Sequence, residues 1–286
     1  MDAATGEISG PAVPSPPPSA PAETRPPRSV WLKRSISSWY GIAALGQLAF
    51  IGFILIYYGG RTLSGDWAAW DEKPLIEGYV ADDTSGNLMF IGHVLLAAVM
   101  TLSGLLQLIP ALRRSLPAAH RISGRVFAVS ACVLAISGLW LTWVRGTQLS
   151  LVSGVAISLD ALLILIFVAL AWRCALQKRF AEHRRWALRS FMVANGVWFL
   201  RVGIMAWVLL NQGPRGMNET LSGPADIVLV FGSYLIPLAI LELYFLAQSA
   251  GSRRFTVFTS GTVAVGCVIT LVGVFGTVAF MWGPYL

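Results

Sequence analysis

From Trp39 to the C-terminus the chain is a succession of apolar runs, each about twenty residues long and separated by short polar connections. That length matches a helix crossing a hydrocarbon core of about 30 Å at about 1.5 Å per residue. Runs are expected at 39–58, 87–109, 123–144, 153–173, 188–210, 226–247 and 257–281, giving an all-α, integral membrane bundle of about seven helices. A β-barrel is excluded, because none of these segments shows the short alternating pattern of barrel strands. Composition agrees: charged residues make up 12% of the chain, against about 25% in soluble domains.

The net charge of +7 would suit a nucleic-acid binder, but its distribution points to membrane topology. Sixteen of the twenty-one Lys and Arg residues fall on the N-terminal tail and on every second connection. The connection over 59–86 instead carries six acids between Asp66 and Asp83. By the positive-inside rule the N-terminus is expected in the cytoplasm and the C-terminus outside, with anionic lipid against the cytoplasmic face and no role for nucleic acid. Residues 1–36, with the proline run Pro16, Pro17 and Pro18, are expected to form a disordered tail. Residues 37–286 form the transmembrane domain, with its core at 87–210. Cys132, Cys174 and Cys267 lack the spacing of a zinc or iron–sulfur site and read as small buried residues.

Ionisable residues inside the spans are costly, so each is a candidate for function. His93, Asp160 and Arg201 are expected roughly 9, 10 and 14 Å below the outer surface by helix rise. Either Asp160 and Arg201 form a buried ion pair that fixes helix rotation, or the three residues line a substrate or proton site in a transporter or proton-coupled binding protein. At the inner boundary, His120 with Arg121 and Arg125, and His183 with Arg184 and Arg189, open two different spans, and Glu242 lies within reach of those arginines. The arginines could serve lipid phosphates. The two histidines could equally be axial ligands of one haem b iron, with arginines pairing its propionates. The segments around His120 and His183 lie 63 residues apart and suggest a duplicated helical hairpin. No phosphate loop, nucleophile elbow or zinc-helix motif is present, so no enzyme class is indicated.

Gly-x-x-Gln-Leu-x-Pro-x-Leu-Arg from Gly104, His-Arg-x-x-Gly-Arg from His120, His-Arg-x-Trp from His183 and the intramembrane Arg201 together resemble a bacterial family of multi-pass membrane proteins of unknown function. The resemblance covers about residues 87–205 and implies a helical protein of the inner membrane, without supplying a reaction. A second likeness is to transmembrane b-type cytochromes, which hold two haems with two histidine pairs. This chain has Asp160 where the second pair would need a histidine, so at most one bis-histidine site is implied.

Overall fold

The computed structural model describes residues 30–73, 77–249 and 252–286. The described residues are 84% helical, and no strand occurs among them. The tail expected over 1–36 lies outside the described residues up to residue 29, whereas residues 30–36 are already helical. α1 (Val30–Phe53) passes through a wide π turn at Ile54–Gly59 into α2 (Gly60–Ser64), making one rod of 35 residues. Gly65, at φ +79°, ends it in the left-handed conformation that favours glycine.

The remaining helices are α3 (Thr84–Gln107), the short α4 (Pro110–Ser115), α5 (Pro117–Trp143), α6 (Leu151–Leu176), α7 (Phe180–Ala194), α8 (Gly196–Leu210), α9 (Pro224–Ser249) and α10 (Arg253–Gly276). Their ends follow from local chemistry. Asp83 accepts from the Gly86 N–H at 2.9 Å to cap α3, Ser150 and Ser153 form a reciprocal capping box on α6, and Pro110 and Pro117 occupy first-turn positions where their missing N–H costs nothing.

Six of these rods are long and apolar enough to span a membrane. α7 and α8, joined at Asn195 by a bend of 53°, bring the number to seven when the pair is counted as one broken span. That angle deflects the chain without the near-reversal a re-entrant loop would require. The span expected at 188–210 is therefore not one continuous helix. It starts at Phe180 and is interrupted near its middle, where Asn195 Nδ2 donates to the Phe191 carbonyl at 2.8 Å and Phe199 N–H donates to the Asn195 carbonyl at 2.9 Å.

α3 packs on α5 and α6 on α7 as two hairpins, while α10 lies between α1 and α8. The α3–α5 contact carries a polar bolt at the end where α3 begins and α5 stops. Arg145, just beyond α5, reaches Asp83 at 3.2 Å, the Asn87 side-chain oxygen at 2.6 Å and the Gly78 carbonyl at 3.1 Å.

Candidate functional site

The ionisable residues expected to meet in one outer layer occupy three separate places. His93, on α3, faces α5: Ser137 Oγ donates to the Val133 carbonyl at 2.7 Å and therefore accepts from the His93 Nδ1–H at 2.8 Å. The position a Cβ would take at Gly138 is 3.4 Å from His93 Cε1, so the ring is packed as a tie between two helices.

Asp160, on α6, points at the break between α7 and α8. A Cβ on Gly196 would lie 2.6 Å from Asp160 Oδ2 and 3.3 Å from the Tyr234 Cβ on α9, so only glycine admits the carboxylate here. Asp160 Oδ1 is buried with no hydrogen-bond partner among the described residues, as are the Tyr234 hydroxyl and Asn195 Oδ1. The carboxylate faces the first turn of α8, whose amides have no carbonyl partner within their own helix and whose dipole favours negative charge.

Arg201 does not pair with Asp160. The four ion pairs among the described residues join Arg61 to Glu72, Arg145 to Asp83, Arg179 to Glu182 and Arg189 to Glu242. Five residues separate Gly196 from Arg201, which at about 3.6 residues per turn rotates the side chain about 140° round α8, away from Asp160. Arg201 instead turns toward α1, its guanidinium carbon 5.6 Å from the centre of the Phe50 ring and its Nη1 donating to the Val197 carbonyl at 3.0 Å. Tyr58 and Lys73 lie within its electrostatic range. Lys73 is held in place through its N–H, which donates to the Tyr57 hydroxyl at 3.0 Å. Burial, and then the Arg201 charge, push the Lys73 ammonium down to about 8.

At the opposite, arginine-rich end, His120 on α5 and His183 on α7 come within electrostatic range of one another. His183 Nδ1 lies 2.9 Å from the Ala171 carbonyl, which can only accept, so Nδ1 carries the proton and Nε2 keeps its lone pair. His120 Nδ1 is buried and has no partner among the described residues. Gln107 steadies the start of α5 by donating to the His120 carbonyl at 2.7 Å and to Ser123 Oγ at 2.6 Å. Arg189 is committed to Glu242 by two hydrogen bonds of 2.6 and 2.8 Å, so it is withdrawn from the set that could hold propionates. Arg121, Arg125 and Arg184 are exposed. No group of three or more His, Cys, Asp or Glu suited to a metal ion occurs among the described residues.

Several residues that matter here escape a search for ionisable groups. Gln47, Tyr234, Trp198 and Trp282 are buried polar side chains with unpartnered atoms, and none carries a formal charge at neutral pH. Gln47, the one amide between Ile42 and Ile56, was the available signal for the first. Asn195-Gly196, a turn dipeptide inside an apolar run, was the signal for the break.

No curated protein and no solved structure matches the chain. A family described as Predicted membrane protein (DUF2306) matches residues 90–245, from the first turns of α3 to the last turns of α9. The match takes in both hairpins, the broken span, His93, His120, Asp160, His183, Arg201 and Glu242, and leaves α1 and α10 outside it. With more than half of its length matched, the chain belongs to this family of multi-pass membrane proteins of unknown function.

Proposed function

We propose that the family core holds one haem b between His120 and His183 and carries electrons in the membrane. The observation behind this reading is the pair of imidazoles at one end of the bundle. Hydrogen bonding of His183 Nδ1 to a backbone carbonyl is the outer arrangement that orients a metal-ligating histidine and leaves Nε2 for the metal. The unpartnered His120 Nδ1 marks a second imidazole with unused capacity. α5 and α7 each pack along α6, which sets the two histidines on helices that flank a common neighbour. Exposed Arg121, Arg125 and Arg184 are free to pair with propionates or with anionic headgroups. Bound haem would supply a one-electron couple; the protein's part is ligation, orientation and charge compensation. The test is the reduced-minus-oxidised spectrum of protein expressed with adequate haem. Sharp α and Soret bands are expected, lost in His120→Ala and in His183→Ala and retained in His93→Ala. A colourless wild-type protein ends this reading.

A second reading, a proton-coupled transporter or small-molecule binding protein, is favoured by Asp160 at the helix break. Broken helices with unpartnered polar groups at mid-membrane are a recurrent way of building binding sites in transporters. Asp160 there has no countercharge among the described residues, unlike Glu242. Asp160→Asn removes the negative charge while keeping the shape. It is therefore expected to keep or raise thermal stability while abolishing any proton uptake measured in proteoliposomes. A loss of stability comparable to that of a broken ion pair would count against this role.

We place the chain in a bacterial inner membrane with its N-terminus in the cytoplasm, on the strength of the charge distribution alone. A periplasm-dependent reporter fused after Leu286 is then expected to be active, and one fused at Ser249 silent. The reverse pattern would overturn the orientation.

A further inference from the structure

The seam where α1, α8 and α10 meet has an imbalance that neither reading above uses: it is rich in donors and poor in acceptors. Arg201 has no carboxylate partner among the described residues, and its charge acts on another cation, Lys73, in the covering loop. Trp198 and Trp282, each 2% exposed, present indole N–H groups with no acceptor among the described residues. Gln47, fully buried, leaves its whole amide unpartnered. Packing contacts tie these groups to one seam. A Cβ on Gly46 would touch the Trp198 ring at 2.8 Å, Trp282 stacks on Phe50 at 5.4 Å between ring centres, and the Phe50 ring also lies under the Arg201 guanidinium. Each unpaired buried donor costs about 1–3 kcal/mol, and an unpaired intramembrane cation costs more, so a cluster of this size calls for an acceptor.

Helices also widen into π turns here and nowhere else among the described residues. α1 widens at Ile54–Gly59, which carries Tyr57 and Tyr58, and the chain after α10 widens at Thr277–Trp282, which carries Trp282. π turns are rare and concentrate at functional sites. Tyr57 donates to the carbonyls of Ala69 and Trp70 at 3.1 and 3.2 Å, so the connecting loop that carries Lys73 is fastened over this seam.

We propose that the α1–α8–α10 seam, beneath the loop bearing Lys73, binds an oxyanion: a carboxylate or phosphate group that pairs with the Arg201 guanidinium and is closed over by Lys73. Guanidinium favours such groups because its fork matches two oxygens, and the indole and amide donors can satisfy further lone pairs. The site does not depend on haem or on Asp160. Two of its three helices lie outside the family match, so it distinguishes this chain's periphery from the shared core.

The test uses the full chain, purified in detergent and reconstituted in nanodiscs of phosphatidylcholine. Thermal unfolding is followed by tryptophan fluorescence during titration with sodium phosphate or sodium acetate, against sodium chloride at equal ionic strength. A second arm replaces part of the phosphatidylcholine with phosphatidylglycerol. A saturable rise in the unfolding midpoint is expected with an oxyanion and not with chloride. The half-saturating concentration should rise about tenfold or more in Arg201→Lys, which keeps charge but loses the fork, and also in Lys73→Gln, which lies outside the spans and leaves their packing intact. A rise with phosphate or acetate identifies a soluble anion, and a rise with phosphatidylglycerol alone identifies a lipid headgroup. No saturable rise from any source, or equal rises in wild type and both variants, overturns the proposal.

Discussion

Gly273→Leu is expected to destabilise the protein by on the order of 3 kcal/mol, the upper part of the usual range for overpacking, and to lower its yield in membranes accordingly. A Cβ on Gly273 would run into the Val202 carbonyl oxygen and sit 2.6 Å from Val202 Cγ1. The first obstacle is backbone in the middle of α8, which cannot rotate out of the way as a side chain could. The two helices would have to separate, and that would also pull on the next turn, where Thr277 Oγ1 contacts the Arg201 carbonyl at 3.4 Å and Gly276 faces Met205 and Leu209. Close approach through small residues is how helices gain packing energy in lipid, where burial of apolar surface supplies little driving force between them. Gly266 on the same helix is the control, since a Cβ there meets nothing within 4 Å. Gly266→Leu is expected to cost nothing measurable, because leucine also has the better helix propensity. Equal losses for the two substitutions, read from denaturant titrations in detergent, would show that α8 and α10 do not cross at Gly273.

Gly273 also illustrates what sequence reasoning reaches and where it stops. The seven apolar runs are legible because the bilayer imposes length and composition on every span, whatever the protein does. Position along a helix is legible for the same reason: it follows from counting residues at about 1.5 Å of rise each. Direction around the helix axis is not. That depends on which neighbours each face meets, and the structure turns His93 to Ser137, Asp160 to Gly196 and Arg201 to Phe50, so residues at similar depth do not touch. A near-uniformly apolar span gives no polar face to set its rotation. At the arginine-rich end Glu242 does meet Arg189, where several arginines crowd one boundary and a carboxylate on the adjacent helix α9 finds a partner at almost any rotation. The break at Asn195 was marked by its dipeptide, but its meaning emerges only with Asp160 opposite, 35 positions earlier in the chain.

The Arg189–Glu242 pair is the other place where a single substitution should act strongly, and the sign of its asymmetry can be worked out. Glu242 is 41% and Arg189 17% exposed by side chain, values that in a water-soluble protein would make the pair weak. Near the boundary of a span a lone charge is only partly hydrated, so losing a partner is expected to cost up to about 2–3 kcal/mol, approaching the figure for a charge at the centre of a span. The two residues are not equivalent once separated. In Glu242→Gln the Arg189 guanidinium keeps its contacts with the rings of Trp186 at 4.4 Å and Phe245 at 5.3 Å, and its long stem can reach toward the headgroups. In Arg189→Gln the shorter Glu242 has no such escape and must take up a proton or remain charged in lipid. Arg189→Gln is therefore expected to be the more destabilising of the two, and Arg189→Gln with Glu242→Gln should recover much of the loss. A double-mutant cycle in detergent, with lipid present, measures this coupling directly. Single effects that simply add, or a larger loss from Glu242→Gln than from Arg189→Gln, would show that the bidentate contact is not what holds α7 to α9.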